Sequence, residues 1–402
     1  MTLRNQTQTS ILHVSIYPRQ NECHSDLGGV AGYVKNLVEA IQHKISSRQY
    51  VVCVKTNEGF RPYKDSKAVI LPCLERSALF WVPVPFLVRR IKPTVVHLQH
   101  EFFMYGGPVS AIFFLVLLFL LKNEVTVVTI HGVIAKLMVD KSFVKTNRSK
   151  MPAFAVWSFF YIIYKLLGKL ATKIIVHEPG FRETLISDYK ITSDKISVIP
   201  HGVEQREKLD RSICRSSLGV SAAANVVLFM GYAAGYKGIE TLIRGFSLYA
   251  QQDKSAVLVI GAGLHPKQST DPEYLRWYGQ LRTLAEELIP KEALMWIGFV
   301  PDSDITRIYC AADLCVFPYE VAMSSSGPMA LAMSYKLSFI AGDVYKEILP
   351  KKLLFKNTPE CLSDKIKNFF SDPESYIEVC SLVAEKRSWN DVALKTINVY
   401  GV

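Results

Sequence analysis

Apolar residues in this chain change period repeatedly. Short β-branched runs alternate with longer segments of helical spacing, and the rhythm begins twice. In the first half the runs fall at 11–17, 50–55, 68–72, 94–98, 125–130, 173–177 and 196–199, with clear helical patterns at 29–44 and 179–189. The second half restarts with runs at 225–231, 256–260, 294–297, 314–317 and 338–341, and helical patterns at 238–251, 274–288, 303–311 and 328–335. Alternation of this kind requires parallel sheets flanked by helices, because a parallel crossover needs a helix's length of chain. With 402 residues the chain exceeds what one hydrophobic core usually supports. The expectation is therefore α/β, with two doubly wound domains facing across a cleft and ligands at the strand C-termini. Pro200-His201-Gly202-Val203 and the charged stretch to about Arg215 mark the connection between them.

Charge separates the two halves. Residues 1–202 carry 25 Lys/Arg against 13 Asp/Glu, whereas residues 203–402 carry 22 against 23. A basic half suits phosphate-rich partners: nucleic acid, an anionic membrane surface or a phosphorylated substrate. Nucleic acid is disfavoured, since no helix-turn-helix, zinc finger or aromatic-basic stacking segment is present. The eight cysteines form no C-x-x-C pair and sit mostly in apolar runs, which predicts reduced core thiols and a cytoplasmic protein. The polar opening MTLRNQTQTS runs straight into a strand and has no signal-peptide pattern.

Two apolar segments carry weight. Residues 109–121 are uninterruptedly apolar or small, yet shorter than the ~20 residues a bilayer span needs. They read as a buried helix. Residues 153–170 hold Trp157, Phe159, Phe160, Tyr161 and Tyr164 directly after Lys141, Lys145, Arg148 and Lys150. Aromatics beside a basic cluster suit a helix at an anionic membrane interface, and residues 141–170 are the expected contact. A core helix behind a solvated loop fits the same letters equally well.

Three stretches could hold an anion. Gly28-Gly29-Val30-Ala31-Gly32 opens the first long helix, where free N–H groups and the helix dipole favour negative charge. Gly231-Tyr-Ala-Ala-Gly-Tyr-Lys237-Gly238 follows the first strand of the second half, with a lysine at a helix start. Ser324-Ser325-Ser326-Gly327-Pro328 precedes another helix, with proline suited to its first turn. Each stretch alone is equally consistent with an ordinary turn, surface lysine or helix cap.

Together and in order, they resemble glycosyltransferase family 4 of the GT-B fold, the retaining "group 1" glycosyl transferases. The likeness runs through Gly28-Gly29, Val96-His-Leu-Gln-His-Glu101, Thr129-Ile-His131-Gly132 and Val198-Ile-Pro-His-Gly-Val203. It continues through Lys237-Gly238-Ile-Glu240, Ile297-Gly-Phe-Val-Pro301, Ala312-Asp313, Pro318-Tyr319 and Ser388-Trp-Asn-Asp-Val392. Gln99-His100-Glu101 and Pro318-Tyr319…Ser326-Gly327 are similar to a subgroup with QHE and PY…SG segments.

That resemblance implies a retaining, metal-independent hexosyl transfer from a nucleotide-sugar to a glycan or lipid-linked acceptor, with no bound cofactor. Mannose and glucose are the sugars considered. It implies an acceptor domain at 1–202, a donor domain at 203–386 and a C-terminal helix at 387–402 crossing back. Lys237, Ser325, Ser326 and Gly327 would hold the diphosphate from one side, with Gly28 and Gly29 closing from the other. Phe299 and Val300 match the loop that lines the base pocket. His131 matches a cleft histidine near the reacting sugar, and Glu320 falls near the first of the family's two glutamates. His100 and Glu101 would face the acceptor.

The chain also departs from the pattern. The second glutamate falls on Ala330 or Leu331, and the arginine of the phosphate loop is Tyr232. Asp302-Ser303-Asp304 has the letters of a D-x-D metal motif but opens a helix, and N-capping is the expected role. The competing reading is a non-catalytic GT-B scaffold that lost its paired glutamates. A sugar phosphorylase or epimerase has no motif in its favour. Membrane attachment, where present, would be peripheral and on the inner face.

Overall fold

A computed structural model describes all residues except 1–8, 20–28, 56–60, 103, 147–149, 266–267 and 322–325. The chain divides into two units, Met1–Gly202 with Trp389–Val402, and Val203–Ser388.

The first unit is built from β1 (Ser10–Ser15), α1 (Gly29–Gln42), β2 (Arg48–Val54), β3 (Tyr63–Asp65), β4 (Ala68–Leu74), α2 (Pro83–Ile91), β5 (Val95–His100) and α3 (Pro108–Leu120). It continues with β6 (Thr126–Ile130), α4 (Lys141–Thr146), α5 (Ala153–Leu170), β7 (Lys173–Val176), α6 (Pro179–Ser187) and β8 (Ile196–Val198). The sheet order is β3-β4-β2-β1-β5-β6-β7-β8. Every pairing is parallel except the β3–β4 hairpin. Connections run outward from β1 in one direction and from β5 in the other, so the switch point lies between these two strands.

All six residues of β5 are buried, and its two faces do different work. His97 and Gln99 face one layer, whereas His100 packs against Phe114 of α3 and Tyr164 of α5 on the opposite face. The unusually apolar 109–121 stretch is α3, the β5-to-β6 crossover. Its Ala111, Phe114, Leu115, Leu117 and Leu118 are buried. The chain's last helix, α14 (Trp389–Tyr400), packs on α1. Gly202 is required at the exit from this unit: a Cβ there would lie 2.4 Å from the Trp389 ring.

The second unit holds α7 (Arg211–Ser217), β9 (Asn225–Tyr232), α8 (Ile239–Gln252), β10 (Ala256–Gly263), α9 (Pro272–Leu288), β11 (Leu294–Trp296), α10 (Asp302–Ala311) and β12 (Leu314–Phe317). It ends with α11 (Gly327–Ser334), β13 (Ser338–Gly342), β14 (Leu354–Phe355), α12 (Pro359–Ser371) and α13 (Pro373–Glu385). The order β11-β10-β9-β12-β13-β14 is parallel throughout. Here the switch point falls between β9 and β12.

A buried ion pair ties the start of this sheet together. Arg215 of α7, only 4% exposed, donates to Asp313 Oδ2 at 2.6 Å and to the carbonyls of Ala311 and Ala222. Asp313 also accepts from the Val226 N–H and from Arg211. The seven described cysteines are free thiols, five of them buried.

Candidate active site

In the second unit the site is made by backbone that only glycine permits. Gly238 has φ +62°, and a Cβ there would lie 1.9 Å from the Pro318 carbonyl oxygen. This close approach seats the short 3-10 turn Gly235–Lys237 against the end of β12. The Glu320 N–H then donates to the Tyr236 carbonyl at 2.8 Å, locking the two loops side by side. Gly231, with φ +135°, leaves the space that the Lys237 ammonium occupies. A Cβ at Gly231 would sit 2.7 Å from Nζ and 3.4 Å from Cγ of Pro328.

Lys237 is thus brought to the first turn of α11. It is 8% exposed, and its Nζ lies 5.6 Å from the centre of the Tyr319 ring. Among the described residues it has no hydrogen-bond or ion-pair partner. Burial lowers its pKa from 10.5 to about 8. A buried ammonium without a counter-charge is costly and marks a place for an anion. Ser326 caps α11 by accepting from the Met329 N–H, and Gly327 begins the helix. The start of that helix, with the Gly327 N–H at its first position, and the Lys237 charge point to one anion site at the switch point. Ser325 lies outside the described residues.

Beside it stands an aromatic shelf. Phe299 is 62% exposed and stacks nearly parallel to Tyr232, 6.4 Å between ring centres, with His265 edge-on to Tyr232. Gly263 permits this, since a Cβ there would press to 3.1 Å on Phe299. Tyr274 braces the shelf by accepting from the His265 N–H and donating to the Ala233 carbonyl. Val300 is different. Its side chain turns into the core, 8% exposed, so only its backbone remains available to a ligand. Glu320 is exposed just past β12, and Ala330 and Leu331 leave no carboxylate one helical segment further on.

The D-x-D letters have a different explanation from capping. The N-cap of α10 is Pro301, without a side-chain cap. Asp302 and Asp304 lie in the first turn, where the helix dipole favours them, and Asp304 pairs with Arg307 at 3.0 Å. Among the described residues, no group of three or more His, Cys, Asp or Glu could hold a metal ion.

In the first unit, strand ends bring histidines together. His131, just past β6, places Nε2 2.9 Å from the Gln99 carboxamide and Nδ1 3.1 Å from His177 Nε2. His177 Nδ1 is 3.0 Å from the Ile199 carbonyl, which can only accept. His177 therefore donates there and accepts from His131 Nδ1–H. With these roles His131 Nε2 is left as an acceptor, which the Gln99 carboxamide matches only with its NH₂ turned to the ring, the reverse of its orientation in the structure, where Oε1 lies 2.9 Å away. His97 Nε2 lies 2.7 Å from the Thr129 hydroxyl and 3.2 Å from the Gln99 carboxamide, and His97 Nδ1 lies 2.7 Å from the Tyr400 hydroxyl. Burial holds His97 and His131 well below the ordinary imidazole value, which keeps these two rings neutral. Both nitrogens of His131 are engaged. Tyr33, one turn into α1 from Gly29, sets its ring edge-on against His131 at 5.0 Å.

Gly29 is exposed at the start of α1, while Gly28 lies outside the described residues. Glu101 is exposed at the end of β5. His100 is a correction: its side chain is 3% exposed among Phe102, Phe114 and Tyr164, and burial lowers its pKa to about 4. It belongs to the core face of β5. Only its carbonyl reaches the site side, accepting from the His131 N–H. Gln99, His177, Tyr33 and Tyr400 were not expected. The signal available was a histidine at or just past the ends of strands β5 to β8.

Comparison with known proteins gives the same division. The model of "Glycosyltransferase Family 4" matches residues 27–207, and that of "Glycosyl transferases group 1" matches residues 224–372. An uncharacterized glycosyltransferase of Methanocaldococcus jannaschii is 25% identical over 249 residues, which is 57% of this chain and 60% of that protein. Sucrose-phosphate synthase from Thermosynechococcus elongatus superposes with a TM-score of 0.68 at 18% identity, covering 98% of each chain. Anabaena HepE in complex with UDP-glucose gives 0.64 at 12% identity, covering 98% of this chain and 100% of that one. With both units matched by models and a GT-B fold throughout, the chain belongs to the group 1, family 4 glycosyltransferases.

Proposed function

We propose that the chain transfers a hexose from a nucleoside diphosphate sugar to a glycan or lipid-linked acceptor, with retention and without a metal ion. The carrying observation is the buried Lys237 ammonium, without an ion-pair partner among the described residues, against the first turn of α11. A fixed cation and a helix terminus stabilise a departing diphosphate without reorganising during the reaction. Lys237, Ser325, Ser326 and Gly327 hold the diphosphate; Tyr232 and Phe299 offer a stacking surface to the base. Glu320 is the carboxylate available for sugar or ribose hydroxyls. Glu101 is assigned to the acceptor, and Gly28 and Gly29, at the start of α1, to the donor's diphosphate. Relatives named for sucrose-phosphate synthesis and solved with UDP-glucose support a hexose donor.

Calorimetric titration with UDP, GDP and ADP tests the donor site directly. At least one should bind, and its affinity should weaken about fivefold between pH 8 and 9. The sign follows from Lys237: burial favours its neutral form above about pH 8, whereas a bound diphosphate needs the charged form. Lys237→Arg should remove this dependence. A pH-independent affinity would take Lys237 out of the site.

His131 is proposed beside the reacting sugar, its ring oriented by Gln99 and His177. His131→Ala should lower turnover about tenfold or more with nucleotide affinity nearly unchanged, read from kcat against the calorimetric Kd. Loss of nucleotide binding with turnover of the bound fraction intact would reverse the assignment.

The absence of a carboxylate at Ala330 and Leu331 favours a second reading, a non-catalytic scaffold. Such a protein would bind nucleotide yet show no transfer for any substitution to diminish.

A further inference from the structure

On the first unit, helices α2, α3 and α5 pack side by side over one face of the sheet. Trp81 stacks on Phe113 and Phe80 on Phe114, fixing the α2 side of this layer to α3. Their outward surfaces are apolar where water should meet them. Phe86 is 67% exposed, Ile112 49%, Phe119 55%, Phe154 74%, Ile162 53% and Leu166 40%. On α5 Phe154, Ile162 and Leu166 fall on one row of spacing four, interrupted by the exposed Ser158, so they share one face of the helix.

The charge around this surface is predominantly positive. Between residues 79 and 170 there are eleven Lys/Arg and three Asp/Glu. Arg89 and Arg90 end α2, Lys122 follows α3 with its ammonium over Phe119, and Lys165 and Lys169 lie exposed along α5. Lys141 and Lys150 stand exposed before α5.

By length and composition α5 could cross a bilayer. It is, however, the β6-to-β7 crossover, and Phe160, Ile163, Tyr164 and Leu167 are in the core. It therefore lies along the surface with its outer stripe uncovered. An apolar strip edged by cations matches the boundary between acyl chains and anionic headgroups.

We propose that the α2–α3–α5 face docks on an anionic phospholipid bilayer, with Phe86, Ile112, Phe119, Phe154, Ile162 and Leu166 entering the interface. This goes beyond the transferase reading and does not depend on it. The surface lies on the same unit as the proposed acceptor site and would hold that unit at a membrane.

The test is sedimentation of the full chain with phosphatidylglycerol–phosphatidylcholine vesicles and with pure phosphatidylcholine vesicles, at low and high salt. Binding should favour the anionic vesicles at least tenfold and weaken with salt. Phe154→Asp combined with Ile162→Asp should weaken it at least tenfold, as should Lys165→Glu with Lys169→Glu. These positions are exposed, and circular dichroism with nucleotide titration of the same samples reports whether both units remain folded. Indifference to lipid charge, or no effect of either pair in folded protein, would overturn the proposal. So would a concentration-dependent dimer, detected by sedimentation velocity without lipid and abolished by Phe154→Asp, since a second copy would then cover the face.

Discussion

Lys237→Ala should reduce sugar transfer at least a hundredfold, about 2.7 kcal/mol of transition-state stabilisation. The expectation comes from where the ammonium sits. Gly231 and Gly238 are shaped to bring it under the first turn of α11, and no described residue compensates it. Removing it leaves the diphosphate only the helix N–H groups and hydroxyls. Because burial of that charge is unfavourable in the empty protein, the variant should be at least as stable as the parent. Lost activity with unchanged or raised stability is the signature of a residue kept for its ligand. A variant that transfers sugar within threefold of the parent would contradict the assignment.

Asp313→Ala should have the opposite profile, costing about 3–5 kcal/mol of stability in the second unit. Arg215 is buried, and its ion pair with Asp313 is backed by two carbonyls. Truncation strands that guanidinium without its counter-charge and deprives the Val226 N–H of its acceptor. Asp313 precedes β12, whereas Lys237 and α11 adjoin the strand's other end. Nucleotide affinity of the folded variant should therefore change little. Urea unfolding followed by circular dichroism measures the effect; a loss below about 1 kcal/mol would mean that water replaces the pair.

The parallel-sheet architecture was legible because buried strands are short, β-branched and punctuated, and twelve stretches of the chain showed this. The β3–β4 hairpin was not. Residues 63–65 are short and polar, and nothing local distinguishes them from loop. Strand β14 has two residues, too few for any periodicity. The placement of Lys237 beside the start of α11 was legible because it depends on local backbone: glycines, a lysine and Ser326 at a helix start. The alternation of adjacent residues decided Phe299 against Val300, one outward on the shelf and one into the core. The histidine chain could not be read, because strand order, not sequence proximity, assembles it. Gln99, His131, His177 and Tyr400 come from four elements or their ends, and Tyr400 arrives from the final helix. His100 misled for the same reason. Next to Gln99 in sequence, it points to the opposite face of β5.

Sugar transfer is the chemistry proposed for the Lys237 site. The measurement that addresses it most directly is incubation of the purified chain with radiolabelled UDP-, GDP- and ADP-hexoses and a lipid and glycan extract. Label should pass to an acceptor from at least one donor, with matching nucleotide release and the donor's anomeric configuration kept in the product. Folded protein that binds a nucleotide yet moves no label from any of these donors would contradict it.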